Sequence, residues 1–406
     1  MNVELFINNS ALPRTRYIGW APSPCSIHLS NLTGVTGPVT VELRNKPPAK
    51  GGRFVFRRTL TGPSTTTLRL VLPAKGAAVN FFMLGQFPHA SFADRDAVVQ
   101  VRSGAHVLLE VPLMVRIRKN ANLLGTAEVS RFVAAFATFN NQGLGRFVDF
   151  RNMHVAASSP EAHGAPGFLP WHRAYLLDLE RELQAIDPSV ALPYWRFDQP
   201  APKIFSLGFL GVSNSLGTVQ FSATNPLQFW RTDGVTGITR RPLFNTTTSG
   251  ASVITEAQTF ALGTQYAPFS AMEGNPHGNA HTSFGGSISS IPTAARDPLF
   301  FLLHANVDRL WAKWQRLNSR YNAGQLASFG PTGTNRIGHN VNDTMWPWNQ
   351  ITAPPRPSTA PGGSLANSAV ATAPGSKPRV GDLIDYQGVV APAGRVGFDY
   401  DDVRFA

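Results

Sequence analysis

The chain has 406 residues, with 36 Lys or Arg against 24 Asp or Glu, a formal net charge of +12. A hydrophobic share of 43% supports a sizeable core and excludes wholesale disorder, while 36 Gly and 32 Pro point to long loops. A lone cysteine, Cys25, excludes an intrachain disulfide framework, a thiolate zinc site and an iron–sulfur cluster.

At roughly 100–200 residues per domain, the length fits two or three domains. The positive charge is mostly scattered arginine, and its densest cluster is Arg116, Arg118 and Lys119. A nucleic-acid reader concentrates charge on one face with interleaved aromatics, so no nucleic-acid partner is expected. No apolar run approaches the ~18 residues of a membrane span, so no membrane association is expected either. The first residues form neither a basic nor an apolar signal region, which makes the cytoplasm the expected compartment and export with a partner the alternative.

Residues 1–115 carry short alternating or apolar segments, among them 39–43, 53–56, 68–72, 98–101 and 106–111, punctuated by Gly, Pro, Asn and Ser. This spacing predicts an N-terminal β-sandwich domain of roughly immunoglobulin-like type. From residue 116 to 350 the texture is helical, and the fold class expected is a mainly α core, a four-helix bundle with long loops. Thr126 can cap a helix with Val129, Phe132, Val133 and Phe136 on one face. Pro170 can sit in the first turn of a second helix, with Tyr175, Leu176, Leu179, Leu183 and Ile186 as its stripe. Residues 199–270 lack a clear period and read as loops. A third helix is expected over His277–Thr282, and a fourth opens with Asp297 as N-cap and Pro298 behind it. Residues 351–406 read as an Ala/Pro/Ser/Gly-rich connection followed by two strands, 381–386 and 396–400, closing the core.

Six of the ten histidines fall into two groups, His154, His163 and His172, then His277, His281 and His304. His277 and His281 are four residues apart and leave one face of a helix together. Helices that point histidines inward can build a metal pair in a bundle core. Imidazole ligands without carboxylate or thiolate suit Zn, Cu, Fe or Ni and disfavour Ca, Mg and Mn. A zinc-protease arrangement needs Glu after the first His of the pair, and Gly278 stands there. His28, His89, His106 and His339 are isolated and read as structural.

Phe168-Leu169-Pro170-Trp171-His172-Arg173-Ala174-Tyr175-Leu176 resembles the copper-A signature of the tyrosinase and catechol oxidase family. The run from Asp297 through His304 to Trp311 resembles its copper-B signature, and 273–281, followed by Gly285-Gly286, the first half of that site. The resemblance covers about residues 116–406 and leaves the β domain outside. It implies two copper ions, each held by one histidine triplet, with dioxygen bridging them as peroxide. It implies that Phe168 and Phe300 form the apolar wall of the pocket and that Glu273 orders a water able to take the phenol proton. Asp308, one turn beyond His304, is a candidate to orient a ligand ring, with an arginine ion pair as the competing role.

Several positions depart from the family pattern. Gly278 stands where tyrosinases often carry an Asn that helps hold the water, and Thr282 is the second position that tunes substrate choice. Glu161 occupies the place of a cysteine that some relatives cross-link, and Leu303 replaces a frequent non-ligand histidine. The activity implied is oxidation of o-diphenols to o-quinones with O₂, with hydroxylation of monophenols. The alternatives are a catechol oxidase or o-aminophenol oxidase without that hydroxylation, or a haemocyanin-like oxygen carrier. Partners implied are a phenolic small molecule and O₂, with a homo-oligomer or an export or copper chaperone as further candidates.

Overall fold

The computed structural model describes residues 2–47, 51–242, 253–330, 333, 335–363, 365 and 368–406. Part of the loop-like stretch 199–270, namely 243–252, therefore lies outside the described residues, as do three positions of the 351–406 connection. The chain divides into two compact units, Met1–Ile117 with Ser368–Ala371 and Gly397–Phe405, and Arg118–Asn367 with Thr372–Val396 and Ala406. Among the described residues no helix is long and apolar enough to cross a membrane.

The first unit holds nine strands, β1 (Asn2–Ile7), β2 (Tyr17–Ile18), β3 (Ser23–Asn31), β4 (Val39–Asn45), β5 (Phe54–Arg57), β6 (Thr67–Leu72), β7 (Val79–Gly85), β8 (Ala97–Ser103) and β9 (His106–Val115). They form two sheets, ordered β1-β3-β7-β5 and β2-β9-β8-β4-β6. All pairings are antiparallel except the short β2–β9 contact. The period-2 pattern sends alternate residues inward, as in β6, where Leu68, Leu70 and Leu72 are buried. One core joins both sheets, with Ile27, Phe56, Phe81 and Met83 from the first and Val41, Leu43, Val99 and Val101 from the second.

The closing segments are not the strands that their alternation suggested. Val380–Leu383 is a 3₁₀ turn whose Asp382 side chain accepts the Arg379 amide at 2.8 Å. Asp385 takes the amides of Val389, Val390 and Ala391, so the chain curls where a strand was expected. Residues 397–405 belong with the β unit rather than the helical core. There the Asp399 carboxylate accepts the Trp20 amide at 2.8 Å, and the Tyr400 carbonyl accepts the Trp20 indole N–H at 2.8 Å.

The second unit is built on helices α1 (Thr126–Asn140), α2 (Phe147–Met153), α3 (Phe168–Ile186) and α4 (Leu299–Asn318). Phe136, Phe147, Trp230 and Phe301 meet edge to face at 4.6–5.8 Å and lock α1 and α2 against α4. Helix α4 starts one residue later than expected, with Pro298 in the capping position, and Asp297 just before it accepts the Leu299 amide at 2.9 Å. The same carboxylate is clamped by Arg240 through two bonds of 2.6 and 2.8 Å. The α3 stripe is buried as expected except for Ile186, which is exposed. The helix expected over 277–282 is broken: Gly274–Gly278 is a π turn and Asn279–Thr282 a single α turn. Asn275 is extended (φ −140, ψ 119) and Pro276 lacks an amide proton, so the ladder cannot run back from His277 into the preceding turn.

A buried ion network ties α3 to α4. Arg118 pairs with Glu180 at 2.7 Å and with Asp308 at 3.1 Å, and Arg173 pairs with Asp308 at 2.6 Å. Arg173 also donates to Gln315 and the Leu383 carbonyl and lies over the Trp311 ring at 3.7 Å. Asp308 thus takes the arginine role rather than orienting His304. The residue after His172 and the residue one turn beyond His304 share one salt bridge, so the network fixes the spacing of the two helices that carry those rings. Asp308→Ala would leave two buried guanidinium groups without this partner. It is expected to lower the unfolding free energy by about 3–5 kcal/mol. Urea titration followed by circular dichroism checks this, and a loss below about 1 kcal/mol contradicts the clamp.

Candidate metal centre

Each of the six histidines reaches the centre from a different local structure. His154 is the first residue past α2, and His163 follows the short helix Ser159–Ala162 in extended conformation. His172 lies in the second turn of α3, and His304 in the second turn of α4. His277 and His281 come from the π turn and the α turn after it. Within each group the candidate ligand atoms lie within 4.8 Å of one another.

The two groups abut. His172 and His304 stack with ring centroids 4.3 Å apart and planes 9° from parallel, and His163 faces His277 at 6.4 Å. Phe168 touches rings of both groups, His172 at 4.7 Å and His277 at 4.8 Å. Phe300 does the same from the opposite helix, against His154 at 4.7 Å and His304 at 4.2 Å. Both are fully buried. His154, His172, His277 and His304 are buried, whereas His163 and His281 are partly exposed.

The hydrogen bonds fix four tautomers, because a carbonyl can only accept. Nδ1 of His154 donates to Ile291, that of His172 to Phe168, that of His277 to Glu273 and that of His281 to Ile288, at 2.7–3.0 Å. Each of these rings therefore presents a bare Nε2 lone pair. Those of His172 and His277 are buried with no partner. Those of His154 and His281 face Nε2 of His163 and His304 at 3.4 and 3.0 Å. Burial drives the pKa of His154 down to about 3, that of His163 to about 2 and that of His281 to about 4, with neighbouring imidazoles adding to the first two. His172, His277 and His304 lie well below the ordinary value for the same first reason. An orphaned buried acceptor costs about 1–3 kcal/mol. Two convergent sets of neutral imidazoles, each with one orphaned Nε2, are what a pair of copper-type ions would satisfy.

The other expected residues sit around this pair. Glu273 accepts the Gly164 amide at 2.7 Å through Oε1, while its carbonyl orients His277; burial raises its pKa. Gly278 has room beside it, since an added Cβ would meet nothing closer than the Glu273 carbonyl at 3.4 Å. Thr282 is exposed and turns its hydroxyl back to the Gly278 carbonyl at 3.1 Å. Glu161 is buried, paired to Arg356 at 2.8 Å and accepting the Trp346 amide. Sequence reasoning set His339 aside as isolated and passed over Arg336, yet both bond to the backbone around His163. No local pattern links them to that turn, which lies more than 170 residues away.

Residues 144–317 match the family described as the common central domain of tyrosinase. A tyrosinase of Streptomyces glaucescens is 35% identical over 265 residues, spanning 57% of this chain and 92% of that protein. A multi-unit haemocyanin of Enteroctopus dofleini is 32% identical over 222 residues, 50% of this chain but 7% of that protein. A solved polyphenol oxidase of Thermothelomyces thermophila overlays with TM-score 0.45 at 18% identity, covering 70% of this chain and 88% of that one.

The folded rings resist protonation, whereas unfolded histidines titrate near ~6.5. The unfolded chain therefore binds more protons as pH falls below that value, and stability drops with it. Metal-free protein is expected to hold a constant unfolding free energy above about pH 7 and to lose it steeply between about pH 6.5 and 4. A flat profile from pH 7 to 5 in chemical denaturation contradicts the neutral, buried triads.

Proposed function

The chain belongs to the tyrosinase family, and from that premise we propose that it is a dicopper phenol oxidase, converting o-diphenols to o-quinones with O₂ and hydroxylating monophenols. The observation that carries this reading is the pair of buried neutral histidine triads in ring contact, with no carboxylate or thiolate among them. His154, His163 and His172 would hold one copper and His277, His281 and His304 the other. When bound, the pair supplies the binding of O₂ and the two-electron oxidation of the phenol.

The chain's own residues supply orientation, exclusion of water and proton handling. Four backbone carbonyls hold the Nδ1 protons, so each of those Nε2 atoms keeps its direction without adding ligand charge. Phe168 and Phe300 keep water from the inner side of the pocket. A phenol enters past His163 and His281, the two partly exposed residues of the triads. Its proton must leave, because a phenol of pKa ~10 is protonated at neutral pH. Glu273 is the base we assign: Oε1 is fixed by the Gly164 amide, and Oε2 takes the proton through a water. Thr282, at the surface beside His281, contacts the incoming ring. We also read the two N-terminal sheets over their shared core as an immunoglobulin-like sandwich.

A diphenol-only oxidase is the second reading, and Gly278 favours it, since no side chain there helps Glu273 hold the water. Incubation of the copper-loaded protein with 4-tert-butylcatechol and, separately, tyramine discriminates. Quinone from both supports the full activity, and quinone from the catechol alone supports the second reading. Reversible O₂ binding without quinone from either overturns both in favour of a carrier. Gly278→Asn, for which the structure has room, is expected to raise the monophenol-to-diphenol rate ratio by about tenfold. An unchanged or lower ratio contradicts the role given to Glu273. His281→Ala or His172→Ala is expected to leave one copper per chain and no oxidation; two retained coppers on elemental analysis contradict the ligand assignment.

A further inference from the structure

His163 is the least anchored of the six rings. It sits in an extended turn between two helices, is partly exposed, and its Nδ1 has no partner, whereas four of the others donate to carbonyls and His304 lies inside a helix. Its backbone is nevertheless held at several points by one distant segment. Arg336 donates to the Gly164 carbonyl at 2.7 Å and to those of Pro160 and His163 at 3.2 Å each. His339, fully buried, accepts the Gly167 amide on Nδ1 at 3.0 Å and donates from Nε2 to the Pro160 carbonyl at 2.9 Å. One imidazole thus spans the start and the end of the His163 turn, in the single neutral tautomer that both partners allow.

The segment is shaped for this contact. The Asp343 carboxylate gathers the amides of Gly338, His339 and Asn340 at 3.0–3.2 Å, which turns the His339 ring inward. Gly338 has φ +83, and a Cβ there would strike the Glu161 side chain; a Cβ on Gly167 would strike the Gly338 carbonyl and the His339 ring. Glycine at both positions lets the two backbones approach closely enough to bond.

We propose that Arg336 and His339 are positioning residues for His163, a brace that sets how tightly the first triad, more than the second, holds its copper. The proposal rests on the reading of His163 as a ligand. A ligand on an unbraced turn must be ordered at the moment of binding, whereas a braced one is ordered beforehand. Removing such outer support from a metal ligand typically weakens the site by about 10–100-fold. Arg336 and His339 bond to Pro160, His163, Gly164 and Gly167, all on the turn that carries His163, so the larger effect should fall on the first triad's metal.

The test uses the full chain loaded with two coppers, as wild type, Arg336→Ala, His339→Phe, His339→Gln and His163→Ala. Copper per chain is followed by mass spectrometry during dialysis against bathocuproine disulfonate with ascorbate, and thermal unfolding is measured on the metal-free proteins. Arg336→Ala, an exposed position, is expected to keep the wild-type unfolding midpoint yet release one of its two coppers about tenfold faster. The second copper should leave with a clearly smaller change in rate. His339→Phe should behave alike, and His339→Gln, which keeps one donor and one acceptor, should recover part of the loss. If His339→Phe fails to fold, Arg336→Ala carries the test. Wild-type release of both coppers from Arg336→Ala, or equal acceleration of both, overturns the brace. His163→Ala separates the two ideas: one retained copper with unaltered release from Arg336→Ala overturns the brace alone, whereas two retained coppers overturn the ligand reading beneath it.

Discussion

The helical unit is organised by the ion network of Arg118, Glu180, Arg173 and Asp308, closed from water between α3 and α4. Two charged side chains of each sign satisfy one another there, and the arrangement is intolerant of movement, because a displaced guanidinium would be buried and unpaired. His172 precedes Arg173, and Asp308 lies one turn past His304. The 4.3 Å stacking of those two rings is therefore held by charges buried directly beneath them. The face-to-face meeting of the triads, one from each half of the unit, follows from that helix pairing.

The remaining rings are fitted to this frame by weaker, more local means. His277 and His281 come from a π turn and the α turn that follows it, and their rings stand at an interplanar angle of 84°. His154 is aimed by the end of α2, which the aromatic cluster of Phe136, Phe147 and Phe301 pins in place. His163 has only a turn, and the bonds that steady that turn come from across the unit.

Much of the centre was legible in the sequence, and for specific reasons. His172 and His304 sit in compact motifs, with Pro170 two residues before the first and Asp297-Pro298 within two helical turns of the second. The starts of α3 and α4 followed, to within a residue or two, from those local signals. Legibility failed where the deciding partner was remote or where pattern and hydrogen bonding disagreed. The segments 381–386 and 396–400 alternate like strands, yet Asp382, Asp385 and Asp399 each spend their carboxylates on nearby or distant amides and turn the chain. Asp308 stood at the right spacing to orient His304, but two arginines claim it, one of them 190 residues away. His339 gave no sign of its bonds to Gly167 and Pro160, since nothing in its own neighbourhood encodes them.

The proposed chemistry requires the triads to act together, holding one pair of coupled ions rather than two independent ones. Electron paramagnetic resonance on the oxidised, copper-loaded protein tests that most directly, alongside elemental analysis of the same sample. Two coppers per chain with almost no Cu(II) signal is the predicted result, since two Cu(II) ions bridged at short range pair their spins. A signal that integrates to all of the bound copper, or a chain that takes up a single ion, would contradict it.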